Sequence, residues 1–327
     1  MHSIRLNQAY QDLKISQCPK YVDGLLACST RKVCTNIADS ANASHDAIYR
    51  EMSSYAGSDN TNEQLREIAT SVLNQENIYL ILDDTKLPKI HAQEIEGLEV
   101  SRDGSSGQNL LGLSMITCLL SDGKHHIPID ALPYVSKELA GATYQTKTEL
   151  GQVITKSVKN HFNIKRLLAD AHYSTKKNIP WLHVHQVDYL MKFARNKIVT
   201  INGKSGQLQN LLRLRRNSRI ACAKGEFEGV SCYFYVIRIE DRSTIYLISN
   251  DLIPLDEVLA LYRIRWKIEL FHRTAKQKFG LRECQMLSME KQRQHVLFVM
   301  HAYAIAECIR NKEGFESVDM WLKTYRT

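Results

Sequence analysis

Residues 78–85 read IYLILDDT. A continuous apolar run that stops at two acids has the form of a strand buried on both faces, with polar groups where the chain leaves the core. Residues 110–120 and 126–132, joined through SDGKH, read as two more strands in a hairpin. TKTELGQVITKSVKNHF follows, with a capping box from Thr146 to Glu149 and Leu150, Val153, Ile154 and Val158 at helical spacing. IKRLLA (164–169) is a fourth strand that runs into Asp170, and a short helix from about Ser174 leads to a fifth strand, DYLMKF. A last helix is delayed until near Asp256.

Three strands, helix, strand, helix, strand and a late final helix is the element order of an RNase H-like domain. The expected fold is therefore α/β, a mixed five-stranded sheet flanked by helices. Residues 76–194 and 251–312 would form this catalytic domain, and 195–250 a β-rich insertion with short strands in SCYFYVIRI and TIYLIS, turned at Glu240 to Ser243. Residues 1–75 read as a small helical domain and 313–327 as a C-terminal tail. In TNIADSANASHDAIYREM (35–52), Ser44 is placed to cap a second helix carrying Ala47, Ile48 and Met52. The spacing suits a helix-turn-helix that would offer His45, Asp46, Tyr49 and Arg50 to a major groove, or an ordinary helical hairpin.

The chain has 327 residues, with 43 Lys and Arg against 35 Asp and Glu. The excess of +8 favours polyanionic partners. It is matched by one segment: from Lys192 to Arg219 lie Lys192, Arg195, Lys197, Lys204, Arg213, Arg215, Arg216 and Arg219, with no acid among them. The eight cysteines form no C-x-x-C pair, and with no signal peptide at the start they are expected to be reduced thiols of a cytoplasmic protein. The longest apolar run, 110–120, is far short of the roughly 20 residues that span a bilayer, so a membrane role is not expected. The histidines at 125–126 and 183–185 lack the matching set that a zinc site needs.

In an RNase H-like sheet the first and fourth strands are neighbours, so acids at their ends meet, and a third comes from the last helix. Asp84, Asp170 and Glu269 occupy these places. Clustered carboxylates need a cation between them, and oxygen-only ligands on an open site favour Mg2+ or Mn2+. Two such ions about 3.5–4 Å apart suit in-line displacement at a phosphodiester. In YRIRWKIELFHRTAK (262–276), Tyr262, Arg265, Glu269, Arg273 and Lys276 fall within an arc of roughly 80°, while Ile264, Ile268 and Phe271 gather opposite. Glu269 would be a metal ligand, and Arg265, Lys276 and Tyr262 would grip phosphates. Taken alone, the 265, 269 and 273 spacing also suits solvated i,i+4 salt bridges.

These residues resemble the bacterial DDE transposases of the insertion-sequence-four family, whose Tyr-x2-Arg-x3-Glu-x6-Lys signature is matched by Tyr262, Arg265, Glu269 and Lys276. LILDDTKLPK resembles the family's first-aspartate motif, with Asp84 rather than Asp83 catalytic. LLADAHYST resembles the second, with Asp170 catalytic and Tyr173 its companion. The resemblance spans about 78–312. It implies two divalent ions held by Asp84, Asp170 and Glu269, cleavage of double-stranded DNA at transposon inverted repeats, joining of the 3′-hydroxyl to target DNA, and a homodimer on paired ends. A nucleoid-associated protein is expected, with Lys192 and Arg195 along the DNA path and the basic run of the insertion, including Arg213, Arg215 and Arg216, suited to phosphate contacts. An RNase H-like nuclease without joining, or a DNA-binding regulator with idle acids, are the alternatives.

Overall fold

The computed structural model describes residues 8, 10–13, 15, 18–102, 107–239 and 243–326. Helices α1 (Lys20–Ala27), α2 (Cys34–Ser40), α3 (His45–Tyr55) and α4 (Asn60–Val72) precede the sheet. Two short helices, α2 and α3, stand where the 35–52 stretch suggested them. The Ser44 hydroxyl accepts from the Ala47 amide at 3.1 Å, satisfying an orphan donor of the first turn. Ile37, Ala38, Ile48 and Met52 face inward.

The five expected strands are present as β1 (Ile78–Pro88), β3 (Asn109–Ser121), β4 (His126–Tyr134), β5 (Ile164–Ala169) and β6 (Tyr189–Lys192). A short β2 (Glu99–Arg102), not foreseen, pairs with the start of β3. The central order is β4-β3-β1-β5-β6, with β1, β5 and β6 parallel and the β1–β3 and β3–β4 pairs antiparallel. This mixed sheet, with helices packed on it, is consistent with an RNase H-like fold. Helix α5 (Lys147–Lys159) starts at the Thr146–Glu149 capping box, and α6 (Asn178–Val184) joins β5 to β6.

Strand β1 differs from the expectation that it stops where the apolar run of 78–82 meets the two acids. Thr85 to Pro88 continue the ladder against Met115 to Gly112 of the long β3, so Asp84 sits inside the strand, opposite Ile116. The extension depends on Gly112, where a Cβ would lie 2.3 Å from the Leu87 carbonyl oxygen.

Strands β7 (Ile198–Ile201), β8 (Lys204–Gln207), β9 (Ile220–Phe227), β10 (Val230–Arg238) and β11 (Thr244–Ser249) make up the insertion. They continue the same sheet, because β11 pairs antiparallel with β6 from Leu247–Lys192 to Ser249–Leu190. Arg166 of β5 strengthens that junction with two bonds to Asp251, at 2.6 and 2.8 Å. Of the turn expected at 240–243, residues 240–242 lie outside the described residues.

The late helix is two helices, α7 (Leu255–Arg265) and α8 (Lys267–Lys278). The Glu269 amide donates to the Trp266 carbonyl, an i→i−3 bond of 3.1 Å that tightens the chain between them. Tyr262 and Arg265 therefore belong to one helix, and Glu269, Arg273 and Lys276 to the next. Helix α9 (Met289–Lys312) then crosses the molecule, and α10 (Val318–Tyr325) follows within the stretch expected as a tail. Trp321, Leu322 and Tyr325 bury the inner face of α10. No described helix is long and apolar enough to cross a membrane, and the eight cysteines form no disulfide.

Candidate active site

Parallel pairing of β1 and β5 puts Leu82 beside Ala169, so Asp84 and Asp170, just beyond them, emerge at the same end of the sheet. Helix α8 packs against β1 and brings Glu269 over that end. The three carboxylates line one cleft of about 710 Å³, with Asp83, Lys147, Arg273 and Lys276 also on its walls. Residues separated by 86 and 99 positions in the chain (84 to 170, 170 to 269) thus share one cavity.

Each acid answers to a protein cation. Lys147, the first residue of α5, donates from Nζ to Asp84 Oδ2 at 2.5 Å and lies 5.3 Å from the Tyr134 ring centre. Arg265 bonds Glu269 Oε1 from a position that is only 5% exposed, with its guanidinium 5.4 Å from the Tyr262 ring centre. Lys192 Nζ stands 3.9 Å from Asp170 Oδ1, an ion pair too long for a hydrogen bond. That oxygen is buried without a hydrogen-bond partner among the described residues, and so is the hydroxyl of Tyr173 beneath the acids.

A second chain of contacts fixes α8 on the sheet. Thr117 Oγ1 of β3 donates to the Asp83 carbonyl at 3.2 Å and meets His272 Nε2 of α8 at 2.8 Å. Since the hydroxyl's one proton goes to the carbonyl, His272 carries hydrogen on Nε2. Burial, with Lys276 nearby, pushes His272 down to about 3, so it is neutral at pH 7. Asp83 is pushed up to about 7, first by desolvation and then by the neighbouring Asp84 charge.

Burial likewise lowers His126 to about 3, and His295 and His301 to about 4. All four imidazoles have folded values below the ordinary ~6.5 of an unfolded chain. The unfolded state therefore binds more protons between about pH 4 and 6.5, and stability present above that window falls as the pH drops through it. Asp83 works the other way, holding a proton in the folded state that the unfolded chain releases. Unfolding at pH 5 is expected to take up roughly three protons net. Denaturant midpoints measured from pH 7 to pH 5 check this, and a flat profile would refute it.

The expected site residues separate into groups. Asp84, Asp170, Glu269, Arg273 and Lys276 line the cleft, with Lys192 beside Asp170 and Arg265 behind Glu269. Tyr262 is half-buried next to Arg265. Arg195 is exposed just beyond β6, and Arg213, Arg215 and Arg216 are exposed between β8 and β9; none of these lines the cleft. His45 and Arg50 are exposed on α3, outside it. The histidines at 125–126 and 183–185 are engaged in local contacts, such as His126 Nδ1 with Ser121 Oγ at 2.8 Å. Sequence reasoning missed Lys147, whose place after the Thr146 cap was legible but whose partner 63 residues away was not.

Among the described residues, no three His, Cys, Asp or Glu side chains stand close enough together to grip one ion as they are. The donor chemistry nonetheless suits a hard divalent cation: carboxylate oxygens line an open cleft, and one buried Asp170 oxygen has no hydrogen bond. Asp84 and Glu269 are turned instead to Lys147 and Arg265.

The three carboxylates thus line one cleft where β1, β5 and α8 come together. The chain matches the family model described as "Transposase DDE domain" over residues 117–305, and that described as "DDE superfamily endonuclease" over 8–205. It belongs to the DDE transposase and endonuclease superfamily. Among solved structures it is similar to the piggyBac transposase synaptic complex with hairpin DNA, determined by cryo-EM. That similarity has a TM-score of 0.51 at 11% identity, covers 98% of this chain and 70% of that one, and bears on the fold alone. No curated protein matches the chain.

Proposed function

We propose that the protein is a DNA transposase of the insertion-sequence-four kind, which cuts transposon ends and joins the freed 3′-hydroxyl to target DNA. The observation that carries this reading is the convergence of Asp84, Asp170 and Glu269 on one cleft ringed by cations. These three acids would hold the divalent ions, two Mg2+ or Mn2+ per site. When bound, such ions activate water and stabilise the charge that develops at phosphorus.

The remaining work falls to the chain's own side chains. Lys276 and Arg273, on the same helix as Glu269, would hold phosphate oxygens by charge-assisted bonds. Arg265 has 5% exposure and a bond to Glu269, so its part is to orient that carboxylate and to compensate its charge. Lys147 does the same for Asp84 and, being within the cleft, is placed to turn to the phosphate once Asp84 is otherwise engaged. The exposed basic insertion and the α2–α3 pair would contact double-stranded DNA outside the cleft, with the protein acting as a homodimer on two ends in the cytoplasm, at the nucleoid.

The test is a strand-transfer assay. A duplex carrying an inverted repeat sought in the DNA that flanks this reading frame, pre-cut to expose its 3′-hydroxyl, is incubated with the protein, Mg2+ or Mn2+ and a plasmid. Joined product is expected. Hydrolysis of the plasmid without joining would make the protein a nuclease instead.

A further inference from the structure

The cleft does not end at Lys276. Gln277 lines both the cleft and a neighbouring hollow of about 510 Å³, formed where the loop after α1, the end of α8 and α10 meet. A further hollow of about 500 Å³ shares Arg282 with the cleft, and Arg31 and Glu283 with that neighbour. The three cavities thus border one another and form a groove.

The neighbouring hollow has Arg31, Lys32, Lys278, Lys323 and Arg326 on its walls against Glu283 and Asp319. Several of these charges are committed within the protein. Glu283 accepts from the Lys32 amide, and Lys32 Nζ donates to the Thr30 carbonyl at 2.5 Å. Arg326 donates to the carbonyls of Leu25 and Leu26 at the end of α1 and to that of Lys278 at the end of α8, at 2.8–3.2 Å. One guanidinium therefore caps two helix C-termini, where a cation is favoured, and fastens the walls together. What remains for a ligand is Arg31, Lys278 and Lys323. Among the described residues these three form no ion pair, and Arg31 and Lys323 are exposed.

We infer that this groove carries the sugar–phosphate backbone of the DNA leaving the catalytic cleft, with Arg31, Lys278 and Lys323 as its phosphate contacts. The inference rests on the transposase reading above and adds to it the course of the substrate beyond the cut. A row of cations continuous with a phosphodiester-cutting cleft, on walls held rigid by Arg326, suits a polyanion that must extend past the reacting bond.

The experiment measures the affinity of the full chain for a 40-base-pair mixed-sequence duplex by fluorescence anisotropy at several salt concentrations. Three phosphate contacts are expected to contribute about 2.7 to the slope of log affinity against log salt. The triple variant Arg31→Ala/Lys278→Ala/Lys323→Ala should lose that much slope. Its affinity should accordingly fall about 40-fold less than the wild type's between 50 and 200 mM salt. Lys278→Arg/Lys323→Arg, which keeps the charge, should retain the wild-type slope, and matched melting curves confirm folding. A triple variant whose slope stays within about 0.5 of wild type overturns the groove and leaves the transposase reading standing. A wild-type protein without salt-dependent DNA affinity overturns both.

Discussion

Glu269→Gln is expected to reduce DNA cleavage by at least about 10³-fold, the order lost when one preorganised group facing developing charge is removed. The amide keeps the shape of the side chain and an oxygen that can still accept from Arg265, so the buried guanidinium is not left without a partner. What disappears is the negative charge that would help hold a divalent cation. DNA binding should stay within about threefold of wild type or tighten slightly, since a charge repelling phosphate has gone. Glu269→Ala is a different experiment. It also strands Arg265 at 5% exposure and is expected to lower the melting temperature as well as activity. Cleavage by Glu269→Gln within tenfold of wild type would remove Glu269 from the reaction.

Phe298→Ala is expected to cost about 3–5 kcal/mol of stability, the range for truncating a buried aromatic. The ring is fully buried in the middle of α9 and stacks on Tyr21 of α1, with centres 5.0 Å apart, and meets Tyr55 at 5.3 Å. One turn away, the Tyr21 hydroxyl donates to His295 Nδ1 at 2.9 Å while His295 Nε2 donates to the Gly280 carbonyl. Farther along the interface, Arg293 Nη2 and Asn62 both donate to Asp130 of β4, at 2.9 and 2.8 Å. The N-terminal helices, α9 and the sheet are thus bonded into one body around a single apolar core. Total stabilities of about 5–15 kcal/mol leave little margin for such a loss. Unfolding followed by circular dichroism and by fluorescence of Trp181, Trp266 and Trp321 should show one transition, shifted together in the variant. Separate melting of the N-terminal helices would contradict the shared core.

The central strands and their acids were legible because their signals are local. An apolar run ending in acids, the Thr146–Glu149 capping box and the Ser44 cap each lie within a few residues, and the structure has each of them. The convergence of Asp84 and Asp170 could also be anticipated, because parallel pairing of the first and fourth strands follows from the order of elements. Glu269 was placed by helical spacing, but the break at Trp266 was not, since no Gly or Pro there announces it. The same limit applied to β1. Its apolar run ends at Leu82, yet the ladder continues to Pro88 because β3 is long enough to offer partners, and a strand's length belongs to the pair.

The sequence by itself thus determined the order of the five central strands and the three acids that β1, β5 and α8 bring to one end of the sheet. Only the tertiary structure decided that the insertion extends the sheet through β11 and β6. It alone paired Lys147 with Asp84 and joined His272 to Thr117 across 155 residues. The physical reason is range. Backbone periodicity is written in short windows, whereas an ion pair or a buried hydrogen bond depends on where two distant segments come to rest and how far their side chains reach.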